Sequence, residues 1–322
     1  MQLDFAVSPA ELRTLRHGAA LVPGQVAVFR VEGPGALACL QGLLTCDLAA
    51  AGDNGLSYGA LLTPKGMIVV DPWVLHEGER FTLVIDVAGR EPAAQLLHRV
   101  LPPRLARATE LSDDWRVLWL LGACAPERFA RANGTTLPGA GRVIGLGAPG
   151  AGLAAGGSAG APFHGLVVGP AEELTGLLDR AEQAGLKRGE ESLLAAARVL
   201  AGWPTLGREI DERTLPQEVR YDELGAVSYV KGCYTGQETV ARVHFRGHVN
   251  RVLRGVRIAG GAALPERTLK SGDKDVGTLR TAIALDDHLL ALAVVRRELE
   301  AGMPLRVGDR KVELIPLPVA PD

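Results

Sequence analysis

The apolar pattern of this 322-residue chain changes character once, and that change limits what it can fold into. In the first two-thirds, strand-like runs alternate with segments whose apolar residues recur at helical spacing. Val26–Val31 reads as a strand, Leu37, Leu40, Leu43 and Leu44 as one face of a helix, and Trp115–Leu121 as another strand. From Val249 onward only short apolar runs remain, broken by Gly and Pro: Leu253–Ile258, Val276–Leu279, Leu289–Val295 and Val312–Ile315. Short strands with regular turn signals indicate a small β-barrel or sandwich. The expected class is therefore α+β, with a mixed α/β region over residues 1–242 and a small C-terminal β-barrel over residues 243–322.

Within the first part, Leu61–Leu62 leads into the turn Thr63-Pro64-Lys65-Gly66, and Met67–Leu75 continues as one mostly apolar strand. Helices are expected from Glu91 to Val100, Pro126 to Ala132, Ala171 to Ala184 and Glu190 to Ala201. Residues 138–162 are rich in Gly and Ala and almost uncharged, which reads as a flexible connection. That tract contains chance motifs. Gly145–Gly150 spells a dinucleotide fingerprint but lacks the helix that must start at its glycines. Gly156–Gly160 spells a nucleophile elbow without a flanking strand and helix. His244 and His248 have ligand-pair spacing on a helix, yet Gly247 lies between them, so a polar strand and turn is expected and no metal site is assigned.

Composition removes several classes. The net charge of −2 leaves no global field toward nucleic acid or membrane, and aromatics at 4% are scarce for a base-stacking platform. No stretch approaches the ~20 apolar residues of a membrane span. Cys39, Cys46, Cys124 and Cys233 show no Cys-x-x-Cys spacing, and the start of the chain has no basic segment followed by an apolar one. Reduced thiols and a cytoplasmic location are the expectation.

The segment with the most chemistry is Lys231-Gly232-Cys233-Tyr234-Thr235-Gly236-Gln237-Glu238. Glycine permits φ > 0 and close backbone approach, a neighbouring cation favours thiolate over thiol, and an amide and a carboxylate follow. The octapeptide is a poor interior for a helix or strand and reads as a loop site around Cys233. It resembles the signature of the YgfZ family, folate-binding relatives of the glycine cleavage T protein. The resemblance extends through Ala201-Gly202-Trp203-Pro204, Gly207–Ile210, Leu215–Glu218, Val240–Arg242 and Arg246-Gly247, and earlier through Leu40–Asp47 and Leu61–Gly66.

The resemblance implies a T-protein-like fold in which residues 1–242 form two mixed α/β lobes, with tetrahydrofolate, or a derivative, in a cavity between them. It also implies a role in iron–sulfur cluster assembly or repair, with cluster proteins as partners and an indirect effect on tRNA modification. Asp71 and Glu218 would hold the folate, Glu218 by accepting two parallel bonds from the pterin. Trp203 and Tyr221 would supply apolar walls. Cys233 would be the reactive thiol, with Lys231 favouring its thiolate. The T protein carries two adjacent aspartates where this chain has Val70 and Asp71, which weighs against aminomethyl transfer. A folate-dependent one-carbon transferase, with Asp71 as acid or base, is the alternative. Arg242, Arg246, Arg251 and Arg254 form a basic stretch suited to an anion, such as the glutamate tail of folate. Without aromatic interleaving, the stretch fits carboxylate or phosphate contact better than base reading, and nucleic acid is the weakest partner class.

Overall fold

The computed structural model describes residues 5–147, 150–261, 264 and 266–319. Two antiparallel-rich sheets and a barrel make up the molecule. The first sheet has five antiparallel strands in the order Leu56–Tyr58, Trp73–Glu77, Arg80–Asp86, Val26–Glu32 and Arg107–Glu110. One face packs on the helices Ala36–Gln41 and Arg90–Val100, burying Leu40, Leu97, Phe81 and Leu83. The second sheet has six strands, centred on Trp115–Leu121 paired with Gly165–Pro170 and with Ala20–Pro23. The helices Ala125–Asn133 and Ala171–Gln183 cover its outer face.

The strand Ala20–Pro23 precedes the whole first sheet in sequence yet belongs to the second, so the lobes are interwoven. The helix before it, Pro9–His17, is set by a capping box in which Ser8 and Glu11 satisfy each other's backbone donors.

Two expectations need correcting in this region. The Gly/Ala-rich tract 138–162 is not a loose connection: Val143–Gly145 and Leu153–Gly156 are strands of the second sheet, with Leu153, Ala154 and Ala155 buried. Small side chains there allow close packing, since a Cβ on Gly156 would lie 2.3 Å from the Pro138 carbonyl oxygen. The dinucleotide-like motif falls partly outside the described residues. The run Met67–Leu75 is not one strand either. It is split into Ile68–Val70 and Trp73–Glu77 by Asp71-Pro72, because proline cannot donate to a ladder.

The barrel closes as expected. Its six strands, Arg251–Ala259, Thr268–Ser271, Lys274–Ala284, His288–Arg296, Leu305–Val307 and Arg310–Ile315, form a closed ladder, with Phe5–Ala6 added in parallel at its edge. The helix Gln237–Arg246 runs across the expected boundary at 242/243, and the first barrel strand starts at Arg251.

The helix Glu191–Ala201 is buried between lobes and barrel; Ala196 and Val199 pack on Ile283, Leu290 and Leu292. It ends at Gly202 with φ +66°, where a Cβ would come within 2.1 Å of the Arg220 guanidinium. That guanidinium is itself buried and donates to the carbonyls of Ala201 and Gly202. Gly202 is thus required twice, by its backbone angle and by the arginine laid across it.

Candidate functional site between the two lobes

Asp71 sits where the first-lobe ladder breaks, and its side chain is turned inward at only 8% exposure. A buried carboxyl must find partners. Here Oδ2 accepts from the Tyr58 hydroxyl at 2.6 Å and from the Tyr221 hydroxyl at 3.1 Å, and the two hydroxyls are themselves 3.1 Å apart. Burial raises the Asp71 pKa to about 7, against the pull of the two hydroxyl donors. Near neutral pH this carboxyl both holds and releases a proton. Arg198, from the helix Glu191–Ala201, lies beside it and pairs with Asp86 at 3.7 Å.

Asp71, Tyr58, Asp86 and Arg198 line a cavity walled by Trp73, Trp119, Phe163 and Trp203, drawn from both sheets and from the segment after the buried helix, and Tyr221 reaches Asp71 from outside that lining. The Trp73 and Trp203 rings are stacked, 16° from parallel with centroids 5.1 Å apart, and Tyr58 tilts against both. The Trp119 indole Nε1 is buried without a hydrogen-bond partner, an exception in a protein interior, and it packs against Gly24, where a Cβ would lie 2.6 Å away. The free space is only about 30 Å³, an order of magnitude below the roughly 300–1,000 Å³ of small-molecule pockets. A ring-sized guest can enter only if the cavity walls move apart.

Sequence reading placed Asp71, Tyr221 and Trp203 in one site, and the structure brings these three together. It missed Tyr58, Trp73, Trp119, Phe163 and Arg198. Glu218 is elsewhere, on the turn Pro216–Val219 and outside the cavity lining. Its two oxygens already take a two-point pairing, from Arg251 Nε at 3.1 Å and from an Arg251 terminal nitrogen at 3.3 Å, and Oε2 also accepts the Leu215 N–H. The bidentate geometry expected for a pterin is present, with a guanidinium in the ring's place.

The signature octapeptide reads differently in three dimensions. Lys231 is buried, and its ammonium donates to the Leu44 carbonyl at 2.8 Å and the Cys46 carbonyl at 2.7 Å. Burial lowers its pKa, and Cys46 and Asp47 are the groups that oppose this. The cation is held by the early segment Leu40–Asp47, so the expectation that it serves the Cys233 thiol loses its geometric ground.

Gly232 has open space around it; the constrained glycine is Gly236, with φ +83° and a virtual Cβ 2.7 Å from the Thr63 carbonyl oxygen. Ser228 N–H donates to the Thr45 carbonyl and Thr235 N–H to the Gly42 carbonyl. The segments Leu40–Asp47, Leu61–Gly66 and Lys231–Glu238 therefore form one packed knot, and much of the signature is architecture. Cys233 is exposed on its surface. Tyr234 packs into the core with its hydroxyl unpartnered, and Gln237 and Glu238 begin the helix Gln237–Arg246 rather than continuing a loop.

The basic stretch also differs from expectation. Arg251 is paired with Glu218, while Arg242, Arg246 and Arg254 are exposed and make no ion pair among the described residues. His244 lies on the helix, not in a polar strand, stacked on Tyr229 and 3.3 Å from Asp222. An aromatic ring therefore does interleave with the arginines: Phe245 lies between Arg242 and Arg246 in sequence, and Tyr229 packs on His244 and Phe245 from outside the stretch. No helix of the described residues is long and apolar enough to cross a membrane.

Comparison with known proteins agrees with this architecture. Residues 2–136 match the GCVT N-terminal domain. The chain is 29% identical over 318 residues to the tRNA-modifying protein YgfZ of Cronobacter sakazakii, covering 91% of this chain and 90% of that protein. It is 29% identical over 312 residues to the tRNA-modifying protein YgfZ of Shigella boydii, with the same coverage. Aminomethyltransferase T of the Bartonella henselae glycine cleavage system superposes with a TM-score of 0.80 over 99% of this chain and 92% of that one, at 18% identity. The resemblance read from the octapeptide thus holds along nearly the whole chain, which is similar to the YgfZ proteins in sequence and to the T protein in fold.

Proposed function

We propose that this chain binds tetrahydrofolate, or a derivative, in the Asp71 cavity and acts as an accessory protein in iron–sulfur cluster assembly or repair, with tRNA modification downstream. The observation that carries the binding half is the Asp71 carboxyl, held by Tyr58 and Tyr221, in an indole-walled cavity. These groups fit a flat, nitrogen-rich heterocycle: aromatic faces to cover it and a carboxyl to bond its N–H groups. The folate would supply a one-carbon carrier. The chain's own part is to clamp the ring between Trp73 and Trp203, exclude water and hold a proton on Asp71. The accessory half rests on the likeness to proteins named tRNA-modifying and on the exposed thiol of Cys233.

A second reading is favoured by one observation. A carboxyl near pKa 7 is suited to general acid or base work, so one-carbon transfer with Asp71 as the proton-handling group is the rival. The two are separated by incubating the protein with tetrahydrofolate and an aminomethyl donor. Binding without steady turnover supports the accessory reading, and multiple turnovers abolished by Asp71→Asn establish the transferase. For the accessory half, Cys233→Ala should keep the fold and folate affinity yet fail to support cluster-dependent enzymes in a complementation assay. Full rescue by that variant would remove Cys233 from the account.

A further inference from the structure

The helix Gln237–Arg246 carries a surface that the folate reading does not use. Arg242, Phe245 and Arg246 stand at i, i+3 and i+4 and so share one face. Phe245 is 67% exposed, an unusual position for so large an apolar ring, and Val230 nearby in sequence to Tyr229 is 94% exposed. Behind Phe245 the Tyr229 and His244 rings stack at 3.7 Å and 20°, and His244 meets Phe245 edge to face at 4.7 Å.

The supporting rings are fixed from below. Asp222 accepts from the Tyr229 hydroxyl and lies 3.3 Å from His244 Nδ1, while Gln217 bonds both the Tyr229 hydroxyl at 3.1 Å and the Val240 carbonyl at 3.0 Å. A ring held outward by other rings, on a helix face shared with two arginines that make no ion pair among the described residues, is a preorganised arrangement rather than a stray surface residue.

We propose that this face binds single-stranded RNA. A base stacks on Phe245, and the phosphates on either side of it meet Arg242 and Arg246. Stacking tolerates any base, and the arginines supply the backbone contacts that position the strand. A protein partner would also cover Phe245 and Val230 and could pair the arginines, and the test below separates it from RNA. The net charge of −2 means the affinity must come from this patch, with the salt dependence of few phosphates. The proposal does not depend on folate, and its test is run without folate.

The test is fluorescence anisotropy of a labelled single-stranded RNA 12-mer, and of an unmodified tRNA transcript, titrated with the full chain at 50 and 200 mM salt. Two phosphate contacts give a slope of about −1.4 in log affinity against log salt, or a loss of about sevenfold across that range. Phe245→Ala should weaken binding about tenfold with the salt slope unchanged. The double variant Arg242→Ala, Arg246→Ala should flatten the slope, and Arg99→Ala, an exposed arginine of the first lobe, should leave both within about twofold. Melting curves check that each variant is folded. No saturable binding at 50 mM salt, or binding indifferent to all three patch substitutions, would overturn the proposal. Loss of cellular complementation by these variants without RNA binding would also overturn it, and would identify the face as a protein contact.

Discussion

Replacing Asp71 with asparagine should change how the stability of this protein depends on pH. Burial holds the folded-state pKa at about 7, against an ordinary 3.8. Between those values the folded chain keeps a proton that the unfolded chain releases, so stability falls as pH rises. The slope is about 1.4 kcal/mol per pH unit, which makes the loss about 3 kcal/mol between pH 5 and pH 8 and gives no further change well above pH 7. Asparagine keeps an oxygen for the Tyr58 hydroxyl and carries no titrating group. Urea unfolding of wild type and Asp71→Asn at half-unit steps from pH 5 to pH 8 isolates the effect as the difference between the two curves. Wild type should approach and then fall below the variant as pH rises. Parallel curves would refute the claim that this carboxyl is held neutral in the folded state, and with it the proton-handling role.

Other expectations follow from the same geometry. Lys231→Met leaves the Leu44 and Cys46 carbonyls without their donor and should cost roughly 1–3 kcal/mol in unfolding free energy, while Cys233 alkylation by iodoacetamide changes by less than about threefold. A large change in alkylation with intact stability would restore the lysine to the thiol. Gly202→Ala forces a Cβ against the Arg220 guanidinium in a left-handed backbone and should destabilise the fold by more than about 1 kcal/mol, read by thermal melting. Glu209 accepts the Thr205 and Thr281 N–H groups at 3.0 Å and so ties the buried segment to the barrel; Glu209→Ala should cost roughly 1–3 kcal/mol and leave any RNA affinity unchanged. Tetrahydrofolate binding should change the emission of Trp73, Trp119 and Trp203 together, and Trp203→Ala, by removing one of the stacked rings, should abolish most of that change.

How much of this was legible in the sequence depended on whether the deciding interaction was local. Strands such as Trp115–Leu121 and helices such as Glu191–Ala201 are declared by their own apolar spacing, and the barrel by its short runs between turn residues. The strands at Val143–Gly145 and Leu153–Gly156 were not, because Gly and Ala carry little strand preference and are placed there by the space available between neighbours. The capping box at Ser8 was readable and was passed over.

At the site, Asp71 stood out as a carboxylate interrupting an apolar run. Tyr58, Trp119 and Arg198 lie on separate elements with nothing in their local sequence to link them. Lys231 shows the opposite failure. Its neighbour in sequence is Cys233, but its partners are carbonyls 185 and 187 residues away. The octapeptide was informative for the wrong local reason: Lys231 and Gly236 hold three segments together, and Cys233 faces solvent with Gly232 and Glu238.

The most direct test of the central claim is a calorimetric titration of the purified protein with tetrahydrofolate, wild type beside Asp71→Asn and Glu218→Ala. The account predicts saturable binding by wild type that Asp71→Asn weakens about tenfold or more and Glu218→Ala leaves nearly unchanged, since Glu218 faces Arg251 rather than the cavity. Absence of binding by folded wild type, or loss of binding in Glu218→Ala with Asp71→Asn unaffected, would contradict it.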